Sequence, residues 1–123
     1  DFQTLTTSGK PLYHSVLETS RNWKNSNNLM YVVGATKASY FSDVRKIVPN
    51  SFLLVPGVGI QGGSLTEVCR FGMNDQVGLL VNSSRDILYV SSGIDFSIKA
   101  AEKAKILQHE MASILDDYFR DIL

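Results

Sequence analysis

The sequence predicts an α/β fold, the C-terminal part of a barrel of parallel strands wrapped by helices. Three observations carry that expectation. Short apolar runs begin at Leu29, Phe52 and Val77, and each is followed by residues with helical periodicity. Regular alternation of this kind gives parallel strands joined by right-handed helical crossovers. The 123 residues also fill less than half of the roughly 250 that an eight-unit barrel uses. Three parallel strands alone would leave two long apolar edges, which native proteins avoid. Residues 1–123 are therefore expected to form one C-terminal barrel segment, α-(βα)3, incomplete without N-terminal strands.

The stretch from Asp1 to Lys10 shows neither signal-peptide character nor a strand pattern, and reads as a loop leading into a helix. Pro11 suits the first turn of that helix, which places Tyr13, Val16, Leu17, Ser20 and Trp23 on one face. Leu29 to Val33 is the first buried strand. A second helix, from Ala38 to Val48, turns Phe41, Val44 and Val48 inward and stops at Pro49. Phe52 to Val55 is the second strand. Ser64 and Glu67 have capping-box spacing and open a helix that carries Leu65, Val68 and Cys69 inward and ends near Gly72. Val77 to Val81 is the third strand. Asp95 or Ser97 caps the last helix, whose inner face is Ala100, Ala104, Leu107, Met111, Ile114, Leu115, Tyr118 and Ile122. A continuous apolar run implies strands buried on both faces.

Composition narrows the partners. Twelve basic and twelve acidic residues give a formal charge of zero, and the basic ones are scattered. That argues against nucleic acid or an anionic membrane surface. No apolar run approaches the roughly 20 residues of a membrane span. The lone Cys69 has no partner for an internal disulfide and sits on an apolar helix face, as a structural thiol in a reducing cytoplasm would. His14 and His109 lack partners at ligand spacing and read as solvated or hydrogen-bonded, so no metal site is expected.

The chemistry concentrates where two strands end. Phe52 to Val55 runs into the glycine-rich loop Pro56 to Gly63, and Val81 is followed by Asn82, Ser83, Ser84 and Arg85. Glycines let a backbone approach an anion, and an arginine offers a planar fork for phosphate. Gly57, Gly59 and Gly62 also fit the dinucleotide fingerprint G-x-G-x-x-G. That fingerprint belongs on the first strand of its unit, however, and the next strand here ends at Asn82 rather than at an acidic residue. Phosphate binding by the glycines is favoured, with a purely structural tight turn as the alternative. Arg85 alone would read as a surface ion-pair residue; beside this loop it reads as a phosphate ligand. Asn82 to Ser84 matches a glycosylation sequon by accident of a strand tip. No nucleophile elbow, Walker loop or paired-carboxylate arrangement is present. The residues alone describe a phosphate grip without catalytic machinery.

At these positions the chain resembles the C-terminal part of the orotidine 5′-phosphate decarboxylase family, in its longer bacterial branch. The matching pieces are Val32 to Thr36, Leu53 to Gly63 and Gly78 to Arg85, in order and with suitable spacing; Asp1 to Gln3 also resembles the segment after that branch's fifth strand. The resemblance implies strands six to eight of a TIM (β/α)8 barrel. It gives Gln61 and Arg85 to the substrate phosphate, with the Ser84 backbone alongside, and sets Pro56 against the pyrimidine ring with Gly57 next to it. Two departures are visible: Ile60 and Asp86 stand where small residues are common. Asp86 should point away from a bound dianion or pair with Arg85.

The reaction so implied converts orotidine 5′-monophosphate to uridine 5′-monophosphate, a carbon–carbon lyase step of pyrimidine biosynthesis that uses no cofactor. The family's reacting lysines and aspartates follow D-x-K-x-x-D, which is absent here. Lys37, Lys46, Lys99, Lys103 and Lys105 are expected on helices or their flanks, away from strand tips. No catalytic residue is therefore assigned to this segment, and alone it should be inactive. A homodimer of the full-length protein is expected. The alternatives are another phosphosugar-handling barrel enzyme of the same superfamily, or a non-catalytic phosphate-binding half-barrel.

Overall fold

The computed structural model describes residues 5–7, 9–59 and 62–122. A short antiparallel hairpin of β1 (Thr6–Thr7) and β2 (Lys10–Pro11) leads into helix α1 (Leu12–Arg21). Three strands follow: β3 (Tyr31–Val32), β4 (Leu53–Pro56) and β5 (Leu79–Asn82). Between them lie α2 (Tyr40–Ile47) and α3 (Leu65–Gly72), and after them α4 (Arg85–Leu88) and α5 (Phe96–Ile122). The hairpin and α4 are both additions to the sequence expectation. Among the described residues the three strands form one parallel sheet in the order β3-β4-β5.

Sequential order with crossovers of one hand puts all the helices on one face of the sheet. The packing agrees, with α1 against α2, α2 against α3 and α3 against α5. Leu53 and Val55 are fully buried and Leu79 is nearly so, packed with Phe41, Val44, Leu65 and Val68 of the helices. The opposite face is bare. Val32, Leu54 and Leu80 lie in one register row, and Val32 is 69% and Leu80 46% exposed. The expectation of strands buried on both faces therefore fails on that side. Nothing among the described residues covers the face that a barrel would turn inward.

Local departures have physical causes. Strand β3 is shorter than Leu29 to Val33 because it has one neighbour and pairs only where β4 runs beside it. Its last ladder bond is the Val33 N–H to the Leu54 carbonyl, at 2.9 Å. Strand β5 starts two residues late. Val77 sits in a left-handed turn (φ 66°) closed by its N–H on the Asn74 carbonyl at 2.7 Å, so its apolar side chain belongs to a turn. On α1, Leu17 and Ser20 are buried as expected, but Val16 is more than half exposed, as is Trp23, which falls beyond the helix end at Arg21. That helix flanks the edge strand and packs mainly on α2 and on the short β1–β2 hairpin, which leave its outer side open. The Ser20 hydroxyl donates to the Leu17 carbonyl at 2.8 Å and lies 2.8 Å from the Tyr31 hydroxyl, tying α1 to β3.

The expected caps and stripes mostly stand. Ser64 Oγ accepts the Glu67 N–H at 3.3 Å. Phe41, Val44 and Val48 form the buried side of α2. Asp95, rather than Ser97, precedes α5; its carbonyl takes the Lys99 N–H at 3.0 Å, and its carboxylate takes the Ser91 hydroxyl at 2.7 Å. Leu107, Met111 and Ile114 pack partly on the core, whereas Ala104 is exposed. The Ile122 side chain lies outside the described residues.

Candidate functional site

Parallel pairing of β4 with β5 sets Pro56 opposite Asn82, so the two strands finish level. The loop after β4 is tied to itself by the Gly59 N–H on the Gly63 carbonyl at 3.1 Å and the Gly63 N–H on the Gly57 carbonyl at 3.2 Å. Val58, 6% exposed, anchors it in the core. Gly63 lets the loop pack against the tip after β3, because a Cβ there would collide with that of Ala35 and stand 2.6 Å from the Gly57 carbonyl oxygen. After β5 the Ser84 hydroxyl donates to the Asn82 side-chain oxygen at 2.9 Å, and α4 begins at Arg85.

These tips enclose a cleft of about 140 Å3 lined by Pro56, Gly57, Val58, Asn82, Ser84, Arg85 and Asp86. That is room for a group of phosphate size. Four of the five residues singled out from the sequence thus share one cleft: Pro56, Gly57, Ser84 and Arg85. Gln61 and Ile60 lie outside the described residues, as does the resemblance at Asp1 to Gln3. Asn82 was legible as part of the strand tip but not as a lining residue, and Val58 gave no signal beyond its apolar character.

Asp86 resolves the question its position raised. Its Oδ2 lies 3.2 Å from Lys103 Nζ on α5, so its ion-pair partner is that lysine and not Arg85. The same carboxylate rests on Gly59, where a Cβ would stand 2.8 Å from Oδ2. Lys37 departs from expectation: it ends the one-turn 3-10 helix Ala35–Lys37 directly after β3, close to a strand tip. Its ammonium lies 5.3 Å from the centre of the Tyr40 ring, which stacks on Tyr13 at 6.0 Å. A larger cleft of about 480 Å3 opens there between α1, β3 and α2, walled by Leu12, Val16, Leu17 and Val32 among others. It lies along the unpaired flank of β3, away from the glycine loop.

Among the described residues no three His, Cys, Asp or Glu side chains stand close enough to hold a metal ion. Cys69 is buried; burial pushes its thiol up from the ordinary value, and Glu110 adds to the rise, which suits a structural thiol. His14 is neither solvated nor hydrogen-bonded at Nε2, which is buried without a partner among the described residues; the ring stands edge-on to Tyr13 at 4.4 Å. No helix among the described residues is long and apolar enough to cross a membrane.

Comparison with known proteins bears on this arrangement. A relative from Flavobacterium johnsoniae named orotidine 5′-phosphate decarboxylase is 68% identical over 119 residues, covering 97% of this chain and 44% of its own length. The chain matches part of the orotidine 5′-phosphate decarboxylases. The decarboxylase of Christiangramia forsetii is 61% identical over 94% of the chain and 43% of its own length. Among solved structures, Leishmania donovani OMP decarboxylase superposes at a TM-score of 0.76 with 32% identity, over 93% of this chain and 42% of that one. Leishmania donovani UMP synthase gives 0.79 with 34% identity, over 93% and 24%. No family model matches. The chain spans less than half the length of the curated decarboxylases it matches. Its three-stranded sheet is an arc of their TIM barrel, which accounts for helices on one face only.

Proposed function

We propose that this segment, as strands six to eight, supplies the phosphate-binding part of an enzyme that decarboxylates orotidine 5′-monophosphate to uridine 5′-monophosphate. The observation that carries the reading is the cleft that joins Pro56 and Gly57 at one strand tip to Ser84 and Arg85 at the next. Arg85 supplies the planar charged fork, and the Gln61 amide together with the loop and Ser84 backbone completes the grip. Pro56 borders the pyrimidine. The groups that act on the departing carboxylate and on C6 come from outside this segment, so residues 1–123 alone turn over no substrate.

Such a grip contributes to the chemistry although it touches no reacting atom. Binding energy from a remote dianion can be used to close loops and to organise the reacting centre. The working enzyme is a cytoplasmic homodimer without a cofactor in this reading. The test is an ultraviolet assay of orotidine 5′-monophosphate loss by a protein of the relatives' length that carries this segment. Arg85→Ala in it should weaken uridine 5′-monophosphate by roughly 10- to 100-fold, as loss of a charge-assisted bidentate contact would, and leave uridine unchanged. Equal losses for nucleotide and nucleoside, or turnover by the isolated segment, would overturn the reading.

A further inference from the structure

We propose that Lys103 is a positioning residue for the anion cleft: it holds the Asp86 carboxylate away from Arg85 and so keeps the arginine fork available to phosphate. The inference rests on the phosphate reading of Arg85 and adds a residue from a helix outside the strand tips. Asp86 directly follows Arg85 and lines the same cleft, so a carboxylate is built into a site meant for a dianion. Left free, it would act in two harmful ways. It would repel the phosphate, and it would compete for the guanidinium of the adjacent Arg85, which lines the same cleft.

The fold answers both. Lys103 Nζ reaches Asp86 Oδ2 at 3.2 Å, across the packing of α4 on α5. Both side chains are largely shielded, at 34% and 21% exposure, so water screens the pair less than it does the other ion pairs among the described residues. Gly59 adds to the restraint at the same oxygen. Its missing side chain leaves the space that Oδ2 occupies, and a Cβ there would push the carboxylate out. Asp86 is thus parked between a helix cation and a glycine of the phosphate loop. Lys103 sits on α5, a helix whose sequence pattern shows only a solvated charge at that point.

A mutant cycle read by calorimetric binding of uridine 5′-monophosphate and of uridine tests this in a protein of the relatives' length. Lys103→Gln should weaken the nucleotide by about five- to tenfold, the scale of one partly shielded unit charge, and leave uridine unchanged. Lys103→Arg, which keeps the ion pair, should bind as the parent does. Asp86→Asn should bind the nucleotide at least as well as the parent. The deciding arm is Asp86→Asn with Lys103→Gln, which should return to parental affinity because nothing is left to restrain. A double variant as weak as Lys103→Gln alone would overturn the proposal and make Lys103 a direct contributor to phosphate attraction. So would an unchanged Lys103→Gln, or equal weakening of nucleotide and nucleoside. Arg85→Ala run in parallel reports on the phosphate reading itself. If it spares the nucleotide, that reading fails independently of the cycle.

Discussion

Arg45 Nε donates to the Gly72 carbonyl at 2.5 Å, which joins the last turn of α2 to the last residue of α3. The same guanidinium reaches the carbonyls of Ser51 at 2.7 Å and Gly78 at 2.9 Å, just before β4 and β5 begin. Val48 and Pro49 carbonyls lie slightly farther off. One side chain thus satisfies the backbone at the end of the sheet opposite the cleft between Pro56 and Arg85. Burial pushes its pKa down from the usual value, with Tyr118 opposing, yet a guanidinium remains charged in any protein.

Replacing Arg45 should therefore cost stability and not activity. Arg45→Met leaves several carbonyls without a donor, and a loss of about 2–4 kcal/mol is expected from unsatisfied groups of this kind. Arg45→Lys should recover little, because an ammonium cannot span carbonyls that a planar fork reaches together. Urea unfolding of the protein carrying the segment checks both. A loss below about 0.5 kcal/mol, the range of an ordinary surface change, would show that water replaces the guanidinium.

Gly59 is required twice, by its left-handed backbone (φ 93°) and by the Asp86 carboxylate on its open side. Gly59→Ala should cost about 1–2 kcal/mol of stability from the backbone alone. It should also weaken phosphorylated ligands, since the displaced Asp86 turns toward Arg85. Adding Asp86→Ala should restore binding and leave the stability deficit. If the second change restores neither, the effect of Gly59 belongs to the loop backbone only.

Cys69 gives the chain a pH dependence of known sign. Burial raises its folded-state pKa, so the folded thiol keeps a proton that the unfolded one loses above about 8.5. Its contribution to stability is complete below that value and declines as pH rises through the interval up to the folded value. Cys69→Ala should flatten this alkaline decline, apart from the constant cost of a smaller side chain. Urea midpoints between neutral and alkaline pH, compared for parent and variant, read the difference. Parallel curves would assign the decline to other groups.

Much of this architecture was legible because periodicity and strand punctuation are local signals. The apolar run Leu53 to Val55 gave the central strand, and Ser64 with Glu67 gave the start of α3. That Pro56, Gly57, Ser84 and Arg85 share one cleft was legible because the tips of adjacent parallel strands lie side by side. What escaped depends on neighbours. Val77 looked like strand until the Asn74 turn used it, Val16 looked buried although α1 has too little around it, and Trp23 falls past the helix end. The Asp86 to Lys103 pair spans two helices, so its spacing in sequence carries no trace. The β1–β2 hairpin pairs only two residues per strand, too few to show alternation.

The bare sheet face yields the last prediction. Val32, Leu54 and Leu80 form one row across three paired strands, and both outer strands keep an unpaired edge among the described residues. Covering each such side chain is worth about 1.5–3 kcal/mol, which a second copy of the same face can supply when the rest of a barrel is missing. Residues 1–123 alone should therefore sediment as dimers or larger species at micromolar concentration. Val32→Lys with Leu80→Lys, both already exposed and outside the helix-facing core, should shift the material toward monomer without changing its circular dichroism. Supplying the remaining part of a chain of the relatives' length should dissolve the self-association and give a one-to-one complex. A monomer at every concentration with the parent sequence would mean that the row is covered from within the chain. In that case the sheet is closed and is not an arc awaiting its partner strands.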